Sequence, residues 1–267
     1  YCNKFPMIGK WILAGEHSVL RGTPALVFPV TCYSLKLKYK KTTEPLQLNL
    51  GGSHGDNLKL LFWGVIEQAA NMLGHSREEI KGKIEIVSTI PLGAGLGASA
   101  ALCVAVGRLF HHFGFVEEEH LYEFSRKLEN LFHGESSGVD IAVSLRSRGI
   151  RFVRGGEMSV LTLKWQPKWY LSYSGKVGMT SNCVKKVKSL SDTNCKLFQS
   201  LDQQMEDYVG LAEAALEMTE AEGTPRLKKA IEMAEDCFVK WGLTSGEPNE
   251  HMQLLKQSGA IATKPTG

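Results

Sequence analysis

A stretch with three glycines at alternate positions, residues 91–101 with the sequence PLGAGLGASAA, constrains the fold of this chain most strongly. It follows a strand-like alternating run at 83–90 and precedes an apolar run at 100–110 that predicts a buried helix. Glycine permits positive φ angles, so successive backbone N–H groups in such a turn can converge on one point. The helix start adds N–H donors and a partial positive charge. The stretch therefore predicts a phosphate-binding strand–loop–helix unit, with a merely tight connection as the alternative.

The spacing of the glycines excludes the two commonest phosphate-binding motifs. It is not the dinucleotide pattern G-x-G-x-x-G, and it lacks the G-K-[ST] of a Walker A loop. No lysine occurs between Lys83 and Lys127. The charge that neutralises a phosphate must therefore come from another segment or from a metal ion. Ser99, in the predicted first turn of the helix, is a candidate to contact a phosphate oxygen or that metal.

Composition limits the class of protein and its partners. The 267 residues are 43% hydrophobic and 22% charged, as in a globular protein with one large or two ordinary domains. The net charge of +3 is small and its lysines and arginines are scattered, which does not indicate nucleic acid. The longest apolar run, at 98–106, is far shorter than the ~18 residues of a membrane span. Six cysteines without a C-x-x-C pair favour reduced thiols in a cytoplasmic protein.

Hydrophobic periodicity predicts a mixed first part and a mainly helical second part, divided near Pro167. Strands are predicted at 9–15, 25–28, 31–40, 46–50, 83–90, 149–154, 159–165, 170–173 and 259–264. Helices are predicted at 58–73, 100–110, from 117 onward, and at 180–190, 195–222 and 249–257. A further helix is predicted to begin at Thr224-Pro225 and to end near Gly242.

Three segments resemble, in order, the motifs of the GHMP kinase superfamily of small-molecule kinases. The glycine stretch is similar to the second motif, P-x-G-x-G-L-G-S-S-A-A, and departs from it at Ala98. Residues 9–17, GKWILAGEH, are similar to the first motif, and residues 264–267, KPTG, to the start of the glycine-rich third motif. Residues 15–22 and the sequence HGESSGVD at 133–140 are most similar to the mevalonate kinase branch, whose patterns are G-E-H-A-V-V-x-G and H-G-N-P-S-G-V-D.

The resemblance implies an α+β, two-domain GHMP kinase fold. Residues 1–167 would form a ribosomal protein S5 domain 2-like, ATP-binding N-terminal domain, and residues 168–267 a ferredoxin-like C-terminal domain, with a homodimer as one option. The implied reaction is transfer of the γ-phosphoryl group of ATP to an alcohol with Mg²⁺. The favoured acceptor is mevalonate, giving 5-phosphomevalonate for isoprenoid synthesis. Phosphomevalonate, homoserine or a sugar as acceptor, a diphosphomevalonate decarboxylase, and a non-catalytic nucleotide- or metabolite-binding relative are the alternatives.

The resemblance also assigns roles to individual residues. Asp140 would take or orient the proton of the alcohol, with Lys10 beside it. Ser99 and Glu129 would hold Mg²⁺, since Glu129 precedes His133 by four residues as the metal-binding glutamate does in mevalonate kinases. Residues of the acceptor pocket would be Glu16, His17 and Thr180. The ATP phosphates would be cradled by Pro91, Gly93, Ala94, Gly95, Leu96, Gly97, Ala98, Ser99 and Ala100.

Each role has an ordinary alternative. Asp140 could be a helix cap, Glu129 an exposed helix residue and Lys10 a solvated surface lysine.

The region that would face the acceptor departs from the family, because Glu135 and Ser136 replace Asn-Pro. Residues 173–175, Tyr-Ser-Gly, replace the Asp-Thr-Gly or Asp-Ser-Gly of many relatives.

Overall fold

The structure, a computed structural model, describes residues 2–51, 55–175 and 180–266. It is a mixed α+β structure that divides into two compact units. The first unit comprises residues 1–11 and 29–148, and the second comprises residues 12–28 and 149–267. Strands β1 (Cys2–Ala14) and β2 (Ala25–Pro45) contribute residues to both units. The division at residue 167 into N- and C-terminal domains stays a prediction.

The sheet of the first unit is built on β2. Strand β4 (Lys81–Ser88) pairs antiparallel with β2, from Leu35 opposite Ser88 to Pro45 opposite Lys81. Strand β3 (Gln47–Gly51) pairs parallel with β4, and β1 pairs with β2. Alternate residues of β4 are buried, because one face of the sheet covers the core and the other does not. The predicted strand at 83–90 is therefore confirmed, although it begins two residues earlier and ends at Ser88.

Four helices complete the first unit: α1 (Gly55–Met72), α2 (Ala98–His112), α3 (Leu121–His133) and α4 (Val139–Arg146). Helix α2 packs against the other three, and its residues 100–107 are all buried. A helix that is apolar on every side is stable only at the centre of a core. The core consists of this helix, one face of α1 and the inner faces of β2 and β4. The glycine loop is thus held by the most deeply buried helix of the unit.

The second unit is mainly helical. Its strands β5 (Ile150–Phe152) and β6 (Met158–Val160) pair antiparallel, and β5 also pairs with Ala25–Val27 of β2. Its helices are α5 (Thr180–Thr193), α6 (Cys195–Leu216), α7 (Glu220–Lys240) and α8 (Glu247–Gln257). Helices α6 and α7 pack against each other, and each contains buried alanines, such as Ala212 and Ala230. Among the described residues, none of the helices combines the length and the apolar character that a membrane span requires.

Several predicted elements of the second unit are wrong. Residues 170–173 and 259–264 are not strands; Tyr170 and Tyr173 are 87% and 56% exposed, so the aromatic pattern of that segment does not face a core. The predicted strand at 159–165 is confined to β6. The predicted helix at 195–222 ends at Leu216, and α7 begins at Glu220 rather than at Thr224-Pro225. Thr219 is the N-cap residue of this earlier start, and its hydroxyl donates to Glu222 at 2.7 Å, so that Pro225 lies inside the helix.

Substitution of Gly223 tests how closely α6 and α7 pack against each other. A Cβ at this position would lie 2.4 Å from the carbonyl oxygen of Ala215 and 2.8 Å from Nε1 of Trp165, which donates to that same oxygen. Gly223→Ala should therefore lower the free energy of unfolding by about 1–3 kcal/mol. The matched control is Gly210→Ala in α6, where nothing lies within 4 Å. That change should be neutral or stabilising by up to ~1 kcal/mol. Urea unfolding of both variants measures the difference, and equal stabilities would contradict the packing.

Candidate active site

The glycine loop between β4 and α2 depends on the conformational freedom of its glycines. Gly93, Gly95 and Gly97 have φ angles of 74°, 72° and 76°, in the left-handed region that side chains disfavour. Gly97 also caps α2, and a Cβ there would lie only 2.7 Å from Cγ of Lys10. The loop therefore needs glycine both for its turns and for its close approach to Lys10.

The first strand is fastened to this loop. The backbone N–H of Lys10 donates to the carbonyl oxygen of Leu96 at 3.0 Å. Beyond the loop, Ala98, Ser99 and Ala100 form the first turn of α2, whose N–H groups have no partner within the helix. A row of left-handed glycines that leads into a helix N-terminus is a suitable cradle for a phosphate group. The loop residues Pro91, Ala94 and Leu96 are half-buried in the same segment.

Lys10 and Asp140 form an ion pair in the first unit. Nζ of Lys10 lies 3.1 Å from Oδ2 of Asp140, and the side chains are 4% and 19% exposed. Asp140 lies in the first turn of α4, and Gly138, with a φ of 83°, caps that helix. Lysine is rarely buried unless a charged group is its partner. Lys10 is therefore not a solvated surface lysine, and the turn at 133–140 brings Asp140 to it.

Glu129 is buried near the end of α3, close to this pair. The pKa of its carboxyl group is raised to about 8, chiefly by burial and then by the charge of Asp140, although a hydrogen bond from Ser136 and the charge of Lys10 lower it. Glu129, Asp140 and Lys10 thus lie within electrostatic range of one another. A cation beside Glu129 would favour its ionised form. Glu129 is not an ordinary exposed helix residue.

Ser99 lies one helical turn before Cys103 in α2, and Cys103 is within electrostatic range of Glu129. Burial, and then the charge of Glu129, raise the pKa of the Cys103 thiol. Residues 99 and 103 are one turn apart, so they share a face of the helix. A hydroxyl and a carboxylate on facing helices fit Mg²⁺, which takes one or two ligands from protein and the others from phosphates and water. Within the described residues, no group of three or more His, Cys, Asp or Glu side chains could hold a metal by itself.

In the second unit, the segment that follows β1 turns sharply at Gly15. Its φ is 93°, and a Cβ there would lie 2.3 Å from the carbonyl oxygen of Pro24. His17 also has a positive φ, 62°, which is rare for a residue with a side chain and is found at strained functional sites. Glu16 is buried and forms an ion pair with Lys264, which also donates to the carbonyl oxygen of Ile12 at 3.1 Å.

His17 lies against two aromatic rings in an edge-on arrangement. Its ring centroid is 5.8 Å from that of Phe238 and 5.4 Å from that of Trp241. Burial lowers the pKa of His17 to about 4, and the nearby charges of Arg21 and Lys264 act in the same direction. The imidazole is therefore neutral at pH 7, with one ring nitrogen as a donor and the other as an acceptor.

The residues of the third motif lie on the first strand. The hydroxyl of Thr266 accepts the N–H of Ile12 at 3.0 Å and donates to its carbonyl oxygen at 2.9 Å. The sequence placed Lys264 in this motif but did not predict its pairing with Glu16, because no local pattern connects residues that are 248 positions apart. Thr180 begins α5, but its side chain lies outside what the structure describes, as does Gly267.

Comparison with known proteins shows which proteins this chain is similar to. Residues 61–148 match the family model described as the GHMP kinases N terminal domain. The resemblance to the GHMP kinase superfamily is therefore confirmed, and the chain has the α+β, two-domain fold of that superfamily. The curated relatives that it matches include mevalonate kinases. It is 26% identical to that of Thermococcus sibiricus and 27% identical to that of Pyrococcus furiosus, over 97% of this chain and 84% of each relative.

Solved structures agree on the fold. The mevalonate kinase of L. major, solved in complex with R-mevalonate, superposes with a TM-score of 0.78 at 21% identity, covering 99% of this chain and 83% of that one. The Methanococcus jannaschii mevalonate kinase gives 0.71 at 16% identity, covering 100% and 87%. The Streptococcus pneumoniae phosphomevalonate kinase, in complex with phosphomevalonate and AMPPNP, gives 0.73 at 15% identity, covering 99% and 88%. At such identities the likeness establishes the fold alone.

The environment of His17 predicts a pH-dependent stability. The unfolded chain binds a proton at His17 near pH 6.5, whereas the folded chain does so only near pH 4. The free energy of unfolding that depends on neutral His17 is therefore fully present above pH 6.5. It is lost as the pH drops from 6.5 to 4, by up to about 3 kcal/mol. In His17→Gln this part of the pH dependence should disappear. Urea unfolding of both proteins between pH 7 and 4 measures it, and parallel profiles would contradict the assignment.

Proposed function

We propose that this protein transfers the γ-phosphoryl group of ATP to the hydroxyl group of mevalonate. The observation that carries the proposal is the buried Lys10–Asp140 pair, held directly against a glycine loop at a helix N-terminus. Such a transfer requires bound phosphates, a held metal and a group that receives the alcohol proton. The first unit has a candidate for each requirement. The similarity to mevalonate kinases over 97% of the chain supports the choice of acceptor.

The donor would be ATP with Mg²⁺, which together supply the transferable phosphoryl group and neutralise its charge. The loop glycines and the first N–H groups of α2 would bind the phosphates. Ser99 and Glu129 would hold the metal, one from each of two packed helices. Ala98 provides no hydroxyl, so at that position the cradle would rely on the backbone alone.

Asp140 would accept the proton of the attacking hydroxyl as the new O–P bond forms. Lys10 would keep the carboxylate oriented, and its ammonium group would stabilise negative charge on the transferring group. Asp140 lies in the first turn of α4, two residues after the cap residue Gly138, so the start of this helix fixes its position. The pair acts by position, since both charges are present before the substrate binds.

The acceptor pocket would include Glu16, the neutral His17 and Thr180. A neutral imidazole can donate to one oxygen of the acceptor and accept from another, which suits a molecule that carries hydroxyl groups. A cytoplasmic location and a homodimer remain predictions. The departures at residues 135–136 and 173–175 make phosphomevalonate, homoserine and galactose necessary comparisons in any assay.

Turnover of Asp140→Asn tests the proposed base. Release of ADP from Mg-ATP should be stimulated by (R)-mevalonate more than by the other three alcohols. In Asp140→Asn, kcat should fall by roughly 10²–10⁴-fold, since amides accept protons poorly. The matched control is Asp192→Asn, at an exposed position in α5, which should retain full activity. Stimulation of the Asp140→Asn variant equal to that of the control would reject the role. Stimulation by a different alcohol alone would replace the acceptor.

A further inference from the structure

The turn between α3 and α4 contains a serine where the family pattern has proline. Ser136 takes the place of the proline in H-G-N-P-S-G-V-D, and it is buried, with 3% of its surface exposed. Proline has neither a backbone N–H nor a hydroxyl group. Any contact made by these two groups of Ser136 is therefore a feature that a proline could not provide.

Both groups of Ser136 are used. Its backbone N–H donates to Oδ1 of Asn130 at 2.8 Å, and its hydroxyl donates to Oε2 of Glu129. The hydroxyl oxygen also accepts the N–H of Gly138 at 3.0 Å. One small residue thus connects the C-terminal end of α3 with the residue that caps α4.

These contacts link the two carboxylates of the site. Glu129 lies on α3, and Asp140 lies two residues after the Gly138 cap of α4. When Glu129 is ionised, as a bound cation favours, the hydrogen bond from the Ser136 hydroxyl is charge-assisted and therefore stronger and more directional than a neutral one. The same hydroxyl consequently fixes the orientation of the Glu129 carboxylate and the position of the α4 start.

We propose that Ser136 is a positioning residue that holds Glu129 in place for the Mg²⁺ ion of the bound nucleotide. This inference rests on the metal role of Glu129 in the proposed function. Residues that hydrogen-bond a metal ligand orient it, and their loss typically weakens metal binding. Ser136 does this from the turn itself, so metal binding and the placement of Asp140 depend on the same hydroxyl.

The neighbouring residue supplies a matched control. The hydroxyl of Ser137 accepts the N–H of Val139 at 3.3 Å, a local bond of the same kind as the one between Ser136 and Gly138. Among the described residues it has no hydrogen bond to Glu129. If the hydroxyl of Ser136 only closes the turn, Ser136→Ala and Ser137→Ala should behave alike.

The experiment compares the binding of Mg-ATP with that of ATP in the presence of EDTA, by titration calorimetry of the full chain. Ser136→Ala should weaken Mg-ATP binding by about 10- to 100-fold and leave metal-free ATP binding unchanged, since only the metal-linked part depends on Glu129. Ser137→Ala should change neither. Ser136→Cys keeps the shape of serine, with a slightly larger side chain, but its thiol is a weak donor. It should therefore act in the same direction, and it replaces Ser136→Ala if that variant does not fold.

Glu129→Gln separates the inference from the function on which it rests. If Glu129→Gln loses the preference for Mg-ATP, and Ser136→Ala has no additional effect in that background, the inference is supported. If Glu129→Gln loses the preference but Ser136→Ala matches Ser137→Ala, the inference is overturned and the metal role of Glu129 stands. If Glu129→Gln retains the preference, the metal role fails and the inference fails with it.

Discussion

The burial of the Lys10 ammonium group is the constraint on which the candidate site depends. A charged lysine taken out of water needs a charged partner nearby, and breaking such a pair typically costs about 3–5 kcal/mol. Asp140 provides the partner at 3.1 Å. This requirement fixes the start of α4 relative to β1. It also explains why Gly97 carries no side chain, since the stem of Lys10 occupies the space that a Cβ would need.

The same physical arrangement occurs a second time along the first motif. Glu16, six residues after Lys10, is buried and paired with Lys264 in the second unit. In each pair the first motif supplies one charge and a segment distant in sequence supplies the other. Each pair is close to neutral as a whole, which reduces the free-energy cost of burying its charges. The first motif is therefore held in each unit by a charge. Its backbone N–H groups also donate hydrogen bonds to the carbonyl oxygen of Leu96 and to the hydroxyl of Thr266.

What the sequence could predict follows from the range of each interaction. The glycine loop, the buried helix after it and Asp140 at a helix start were predictable, because each depends on residues within one turn or strand of one another. The ion pair between Glu16 and Lys264 was not, since nothing local connects them. The false strands at 170–173 and 259–264 have the same origin. Alternation of apolar residues indicates a strand only where a neighbour offers hydrogen bonds, and sequence does not supply the neighbour.

The departures from the family pattern are tolerated for different physical reasons. Ala98 removes a hydroxyl from the loop, but the N–H groups of a helix start belong to the backbone and survive any substitution except proline. The proposed metal site, by contrast, would depend on the side chains Ser99 and Glu129. A substitution near these two residues would therefore affect metal binding more. Residue 136 is such a position, and the hydroxyl of Ser136 donates to the Glu129 carboxylate. The proposed phosphate cradle could therefore vary in its side chains, whereas the proposed metal site would be sensitive to each polar neighbour.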